Sequence, residues 1–120
     1  MKTNVELIST RVYAGRLKDR ENLNNSSSGG AFTALSDFFL KNGNAVVAAI
    51  YNYENHTTEF QMILDKDQRE RAKGSKYMQS KPGGIFREAY RWLMDNSGKK
   101  MLFVGMGCQS DGFRKFSEMK

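Results

Sequence analysis

Three short stretches of this chain combine residue types that bind or react. The first is Asn25-Ser26-Ser27-Ser28-Gly29-Gly30-Ala31, which runs into the apolar positions Phe32, Leu35, Phe38 and Phe39. Serine hydroxyls satisfy the unpaired amides of a helix start, and glycine lets the backbone turn or a ligand approach closely. A helix start also offers free N–H donors and the positive end of the dipole, which together suit a phosphate. The same residues equally suit an ordinary capped helix after a flexible loop. The second stretch is Lys73-Gly74-Ser75-Lys76-Tyr77-Met78-Gln79-Ser80. Its two cations, two hydroxyls and one ring can grip a diphosphate and stack on a ring system. A plain basic surface loop has the same composition. The third is Gly105-Met106-Gly107-Cys108-Gln109, with a cysteine ahead of a helical pattern. A cysteine at a helix start sits where the dipole favours its thiolate, while free cysteine is otherwise among the most buried residue types.

The elements between these stretches must position them. The apolar stripe Phe32, Leu35, Phe38, Phe39 predicts a helix over 30–41 with those side chains in the core. Asn42-Gly43-Asn44 ends it. Ala45-Val46-Val47-Ala48-Ala49-Ile50-Tyr51 is apolar on both faces, as in a central strand covered by helices. Glu59-Phe60-Gln61-Met62-Ile63-Leu64 alternates and reads as its hairpin partner. His56, the sole histidine, falls in the turn between them and is read as a solvated turn residue. A charged helix or turn is expected over 66–73, opening at Asp65/Asp67. Ile85, Phe86, Ala89, Trp92 and Leu93 predict an amphipathic helix over 84–96, with Trp92 in the core. A buried strand follows over 100–105, then a helix from about 111 to 119. Residues 10–14 lean towards strand, and 15–25 read as an exposed loop. Strands alternating with helices predict an α/β (or α+β) domain, a mixed sheet of about four strands with helices packed on it. The strands near residues 45 and 100 should be neighbours, and ligands of such sheets bind beyond the strands' carboxyl ends.

Composition narrows the classes. No apolar run approaches the ~18 residues of a membrane span, and the start lacks the apolar core of a signal peptide. A cytoplasmic location is therefore expected. One cysteine excludes an internal disulfide framework, and alone it cannot hold an iron–sulfur cluster, which usually takes four thiolates. The net charge of +6 is lopsided: residues 1–65 carry 6 basic and 7 acidic side chains, residues 66–120 carry 13 and 6. A basic half suits an anionic ligand, an acidic partner protein or, less favoured, nucleic acid.

The three stretches, taken in order, resemble the N-terminal part of the coenzyme F-420 hydrogenase/dehydrogenase beta-subunit family. The resemblance rests on Ser26-Ser27-Ser28-Gly29-Gly30, Ser75-Lys76-Tyr77 and Gly105-Met106-Gly107-Cys108-Gln109, and spans about residues 10–118. It implies a flavoprotein that binds FAD and passes electrons between iron–sulfur centres and a deazaflavin-like acceptor. It places Ser27, Ser28, Gly29 and Gly30 in a flavin phosphate loop, and Ser75, Lys76 and Tyr77 over the flavin or its diphosphate. Gly105, Cys108 and Gln109 would lie near the redox centre, Cys108 being in some members a ligand of a [4Fe-4S] cluster. The family's Thr-Pro before the cysteine is Met106-Gly107 here, which alters the turn's rigidity and removes a hydroxyl. The resemblance also implies a longer parent, with residues 1–9 a lead-in or tail and 10–120 a single N-terminal domain. That domain would associate with other subunits or domains of a redox complex and a small electron carrier. The class that competes with this is a non-enzymatic basic domain that docks an acidic partner or nucleic acid.

Overall fold

The computed structural model describes residues 11–74, 76 and 78–120. Its centre is β1 (Ala45–Asn52), an eight-residue strand in which Ala45, Val46, Val47, Ala48 and Ile50 are buried. β2 (Thr57–Ile63) returns antiparallel, with Val46 opposite Ile63, Ala49 opposite Phe60 and Tyr51 opposite Thr58. The turn between them holds His56 at φ 54°, its Nδ1 3.0 Å from the Tyr51 hydroxyl. β4 (Met101–Phe103) lies parallel to β1 on its other side, with Ala45 opposite Met101. The two-residue β3 (Ser80–Lys81) runs parallel to β2, so the sheet order is β3-β2-β1-β4. The chain is thus an α/β domain built on a mixed four-stranded sheet.

A strand buried on both faces needs a layer on each side. Val46, Ala48, Ile50 and Ile63 face one layer, where Phe32, Phe39 and Leu40 of α2 (Ala31–Lys41) pack with Ala72. Val47 and Phe60 face the other, covered by Ile85, Phe86 and Ala89 of α4 (Ile85–Asp95) and Phe113 of α5 (Gly107–Glu118). Rings dominate this second layer. Phe103 stacks between Phe60 and Phe113, with centroids 5.4 Å and 5.1 Å away, and Phe86 touches Phe103, Phe113 and Phe116. Such offset ring pairs add to the area they bury.

Several expectations change at this point. The stretch 15–25, read as loop, contains the short α1 (Arg20–Asn24), capped by Asp19, and residues 11–14 form no strand. The last helix begins at Gly107, so Cys108 lies in its first turn. Trp92 is only half-buried: the inward side of α4 is Ile85 and Ala89, and Trp92 lies toward the helix's C-terminal end. The largest change is the rotation of α2. Leu35 and Phe38, expected inside, are 52% and 65% exposed, while Thr33 and Ser36 are buried.

The cause is Arg69 on α3 (Lys66–Glu70), a residue 3% exposed. Its Nη1 donates to the Thr33 carbonyl and to Ser36 Oγ, both at 3.1 Å, and lies 2.8 Å from Asp37 Oδ1. Its Nη2 is 3.0 Å from Glu70, which also pairs with Lys73 at 2.9 Å. A buried guanidinium must be met by acceptors, and α2 turns its polar edge inward to supply them. The α3 start is closed by Asp65 and Gln68. Asp65 Oδ1 accepts from the Gln68 amide at 2.8 Å, and Gln68 Oε1 accepts from the Leu64 amide at 2.9 Å. Replacing Arg69 by Met should therefore cost about 2–4 kcal/mol, since the Thr33 carbonyl and Ser36 Oγ lose a donor and Asp37 loses its closer ion-pair partner. Lys66→Ala removes only an exposed pair at 3.9 Å to Asp37 and should cost less than about 0.5 kcal/mol. Urea unfolding of the two variants separates these outcomes.

Candidate functional site

The loop before α2 folds on an earlier segment. Leu17 N–H donates to the Gly29 carbonyl at 2.8 Å. A Cβ on Gly29 would stand 2.5 Å from the Gly15 carbonyl oxygen, and one on Gly30 2.4 Å from Leu17 Cδ1. Gly30 also has φ 79°, which L side chains rarely adopt. Both glycines are therefore required by chain packing, whatever ligand the loop meets. None of the serines caps the helix, because Gly30 occupies that position and makes no side-chain bond. Ser26 Oγ instead sits 2.6 Å from Thr33 Oγ1 and donates to the Asn22 carbonyl. Ser27 and Ser28 are exposed, Ser28 at φ 53°.

Lys76 is half-buried, and its ammonium folds back on its own segment. It donates to the carbonyls of Ala72, Lys73 and Gly74, the last two at 2.9 Å. Burial holds its pKa below the ordinary lysine value. Ser75 and Tyr77, singled out beside it, lie outside the described residues.

The 105–109 turn follows β4, whose ladder extends through the Val104 amide to the Val47 carbonyl at 2.8 Å. Gln109 Oε1 accepts from the Met106 amide at 2.9 Å and so caps the start of α5. A Cβ on Gly105 would meet Gln109 Oε1 at 3.0 Å, Phe103 at 3.1 Å and Phe60 at 3.2 Å. Cys108 is exposed, so the buried reading of this cysteine does not hold.

These segments meet at one end of the sheet. A cavity of about 220 Å³ lies beyond the carboxyl end of β4, lined by Phe32, Phe60, Lys76, Val104, Gly105 and Gln109 among others. A smaller one of about 100 Å³ adjoins it, lined by Ser26, Ser27, Gly30, Thr33 and Lys73, and the two share Phe32, Ala72 and Gly74. The structure thus gathers Ser27, Gly30, Lys76, Gly105 and Gln109 from three distant stretches. Ser28, Gly29 and Cys108 line neither cavity. A third cavity of about 490 Å³ lies on the other side of Lys76 and Met78, lined by Tyr51, Tyr53, Thr58, Glu70, Arg71 and Lys73. Sequence reasoning singled out Lys73, Lys76 and Met78 of this lining but missed Tyr51, Tyr53, Thr58, Glu70 and Arg71. Of those missed, Tyr51 and Tyr53, two apart at the end of a strand and its turn, carried a signal. Among the described residues no three His, Cys, Asp or Glu side chains group to hold a metal ion, and no helix is long and apolar enough to cross a membrane.

The model of the N-terminal part of the coenzyme F-420 hydrogenase/dehydrogenase beta subunit matches residues 12–83, more than half of the chain. The chain belongs to that family. In architecture it is similar to a chain of the F-420-reducing [NiFe] hydrogenase complex from Methanosarcina barkeri, solved with xenon, at 25% identity and a TM-score of 0.68. That similarity covers 83% of this chain and 34% of the hydrogenase chain, so this chain spans about a third of its length. No curated protein matches the sequence.

Two measurements check the packing around the cavities. Gly30→Ala should lower stability by about 1–3 kcal/mol through backbone strain and the Leu17 clash. Gly74→Ala should cost less, because φ is 88° but no atom lies within 4 Å of the added Cβ. Glu70 gives a pH signature. Burial pushes its carboxyl up, but Lys73 and Arg69 outweigh it and hold the pKa below 4.5. A pKa depressed in the fold contributes stability above the unfolded value, and that contribution is lost as pH falls through the folded one. Glu70→Gln should therefore flatten the loss of thermal stability below about pH 4.5.

Proposed function

We propose that this chain is the N-terminal, flavin-contacting domain of an oxidoreductase beta subunit of the F-420 hydrogenase/dehydrogenase type. On this reading residues 10–120 form one domain of a longer redox subunit. The observation that carries the reading is the cavity beyond β4, where Lys76, Gly105 and Gln109 meet beside the Ser27–Gly30 cavity.

The donor set suits a dinucleotide flavin. Phe32, Phe60, Ala49 and Val104 offer apolar wall for a flat ring system. Lys76 would exchange its backbone carbonyls for a phosphate oxygen, with Ser27 and the Gly30 turn alongside. The volume, about 220 Å³, falls below the ~300–1,000 Å³ of usual ligand pockets. It accommodates part of the flavin, and surface from outside this chain would complete the site. FAD when bound would collect electrons singly and release them as a pair, as a link from one-electron clusters to a deazaflavin acceptor requires.

A cluster fits this chain less fully. Cys108, exposed on the first turn of α5, would supply one thiolate of a [4Fe-4S] centre, and the others would come from elsewhere in the assembly. The matched hydrogenase works as a complex, and this chain would likewise associate with other redox subunits.

Titrating the longer redox subunit that contains this domain with FAD and with FMN, followed by flavin fluorescence and by amide NMR signals, tests the proposal. Saturable FAD binding should shift Phe32, Val104, Gly105 and Gln109. Lys76→Met should weaken it about tenfold, as expected for loss of one charge-assisted hydrogen bond, with the circular dichroism spectrum retained. Absence of any shift at these residues at saturating flavin would overturn it.

A further inference from the structure

The cavity on the far side of Lys76 is lined by three cations, Arg71, Lys73 and Lys76, against one carboxylate, Glu70. That carboxylate is already engaged by Arg69 and Lys73. Arg71 makes no ion pair or side-chain hydrogen bond among the described residues. The wall opposite is aromatic: Tyr51 and Tyr53 meet edge to face at 4.8 Å, and Tyr53 is 81% exposed. Thr58 lies directly opposite Tyr51 in the β1–β2 register and also lines the cavity. Its Oγ1 is buried without a hydrogen-bond partner, in a residue 1% exposed. An unpaired buried hydroxyl is costly and uncommon, and calls for a partner. The volume of about 490 Å³ lies inside the usual range for small-molecule sites.

We infer that this cavity is a second binding site, for a small ligand that joins a planar aromatic ring to a phosphate, of the nucleoside monophosphate class. The ring lies against Tyr51 and Tyr53. The phosphate is met by Arg71 with Lys73 and Lys76, and Thr58 donates to or accepts from the part between. The site shares Lys76 and Met78 with the cavity beyond β4, while Tyr51, Tyr53, Thr58 and Arg71 belong to it alone.

The test is a titration of the chain with adenosine 5′-monophosphate, with adenosine and inorganic phosphate as separate probes, followed by amide NMR signals. The nucleotide should shift Tyr51, Tyr53, Thr58 and Arg71, and bind at least about tenfold more tightly than either half. Thr58→Val keeps the side chain's shape and removes the orphan hydroxyl, so the fold should be kept or made firmer while nucleotide binding weakens about fivefold. Arg71→Gln, on an exposed residue, should weaken it about tenfold. Phosphate binding as tightly as the nucleotide, equal affinity of both variants and the parent, or shifts confined to Gly105–Gln109 would each overturn the inference. FAD titration reads the Gly105–Gln109 signals and nucleotide titration the Tyr51–Thr58 signals, so failure of one reading leaves the other intact.

Discussion

Everything in this domain depends on one strand that must be buried on both sides. Ala45 to Ile50 carries five buried apolar residues, with Val46 and Val47 pointing to opposite faces and both fully covered. Withdrawing each such side chain from water is worth roughly 1.5–3 kcal/mol, but only if helices close both faces. That demand places α2 on one side and α4 with α5 on the other. It also fixes β2 and β4 as the strand's two neighbours, since a central strand must pair along both edges. With β4 parallel to β1, the turn after β4 emerges at the carboxyl end of the sheet. The motif loops from both halves of the chain then have one region in which to meet.

Burial alone does not hold the basic segment there. α3 is five residues long, too short to persist by itself. It is fastened by Arg69, whose guanidinium reaches back over thirty residues to the Thr33 carbonyl and Ser36. From that anchor Glu70 holds Lys73, and the carbonyls of 72–74 hold Lys76. A buried cation is a poor source of net stability, because its desolvation cancels much of its attraction. Its effect here is positional: one guanidinium fixes the orientation of α2, the placement of α3 and the start of the segment leading to β3.

The limits of the sequence follow from the same interaction. The long apolar strand, its alternating hairpin partner, the Asp65 cap and the 84–96 helix were all legible, because each is encoded in local spacing. The pairing of β1 with β4 was legible because both are apolar strands with helices between. The family, too, was legible from three ordered motifs. The facing of α2 was not. Periodicity places Leu35 and Phe38 inward, but a contact between residues 33 and 36 apart in sequence overrides it, and no window of the sequence displays that contact. Gly29 and Gly30 read as a ligand cradle, whereas their missing side chains first make room for Gly15 and Leu17. Two-residue β3 is too short for any periodic signal, and Gln109 read as a cofactor contact while its Oε1 caps a helix.

Lys76 is where structure and chemistry meet most closely. It lines both the cavity beyond β4 and the larger one beside Tyr51, and its ammonium is held between them by backbone carbonyls. Carbonyl dipoles partly offset the cost of its burial without neutralising its charge, so the cation stays available to an anion that approaches from either side. It cannot serve both fully at once. An anion that draws Lys76 toward one cavity takes a cation from the other and frees the carbonyls of the turn that Arg69 anchors. Two ligands that both used this ammonium would therefore weaken each other by equal factors, as linkage requires. Two anions that used it unequally would be coupled only as far as they shared it. The coupling would be carried by one side chain with two alternative partners, which needs no movement of the sheet that supports it.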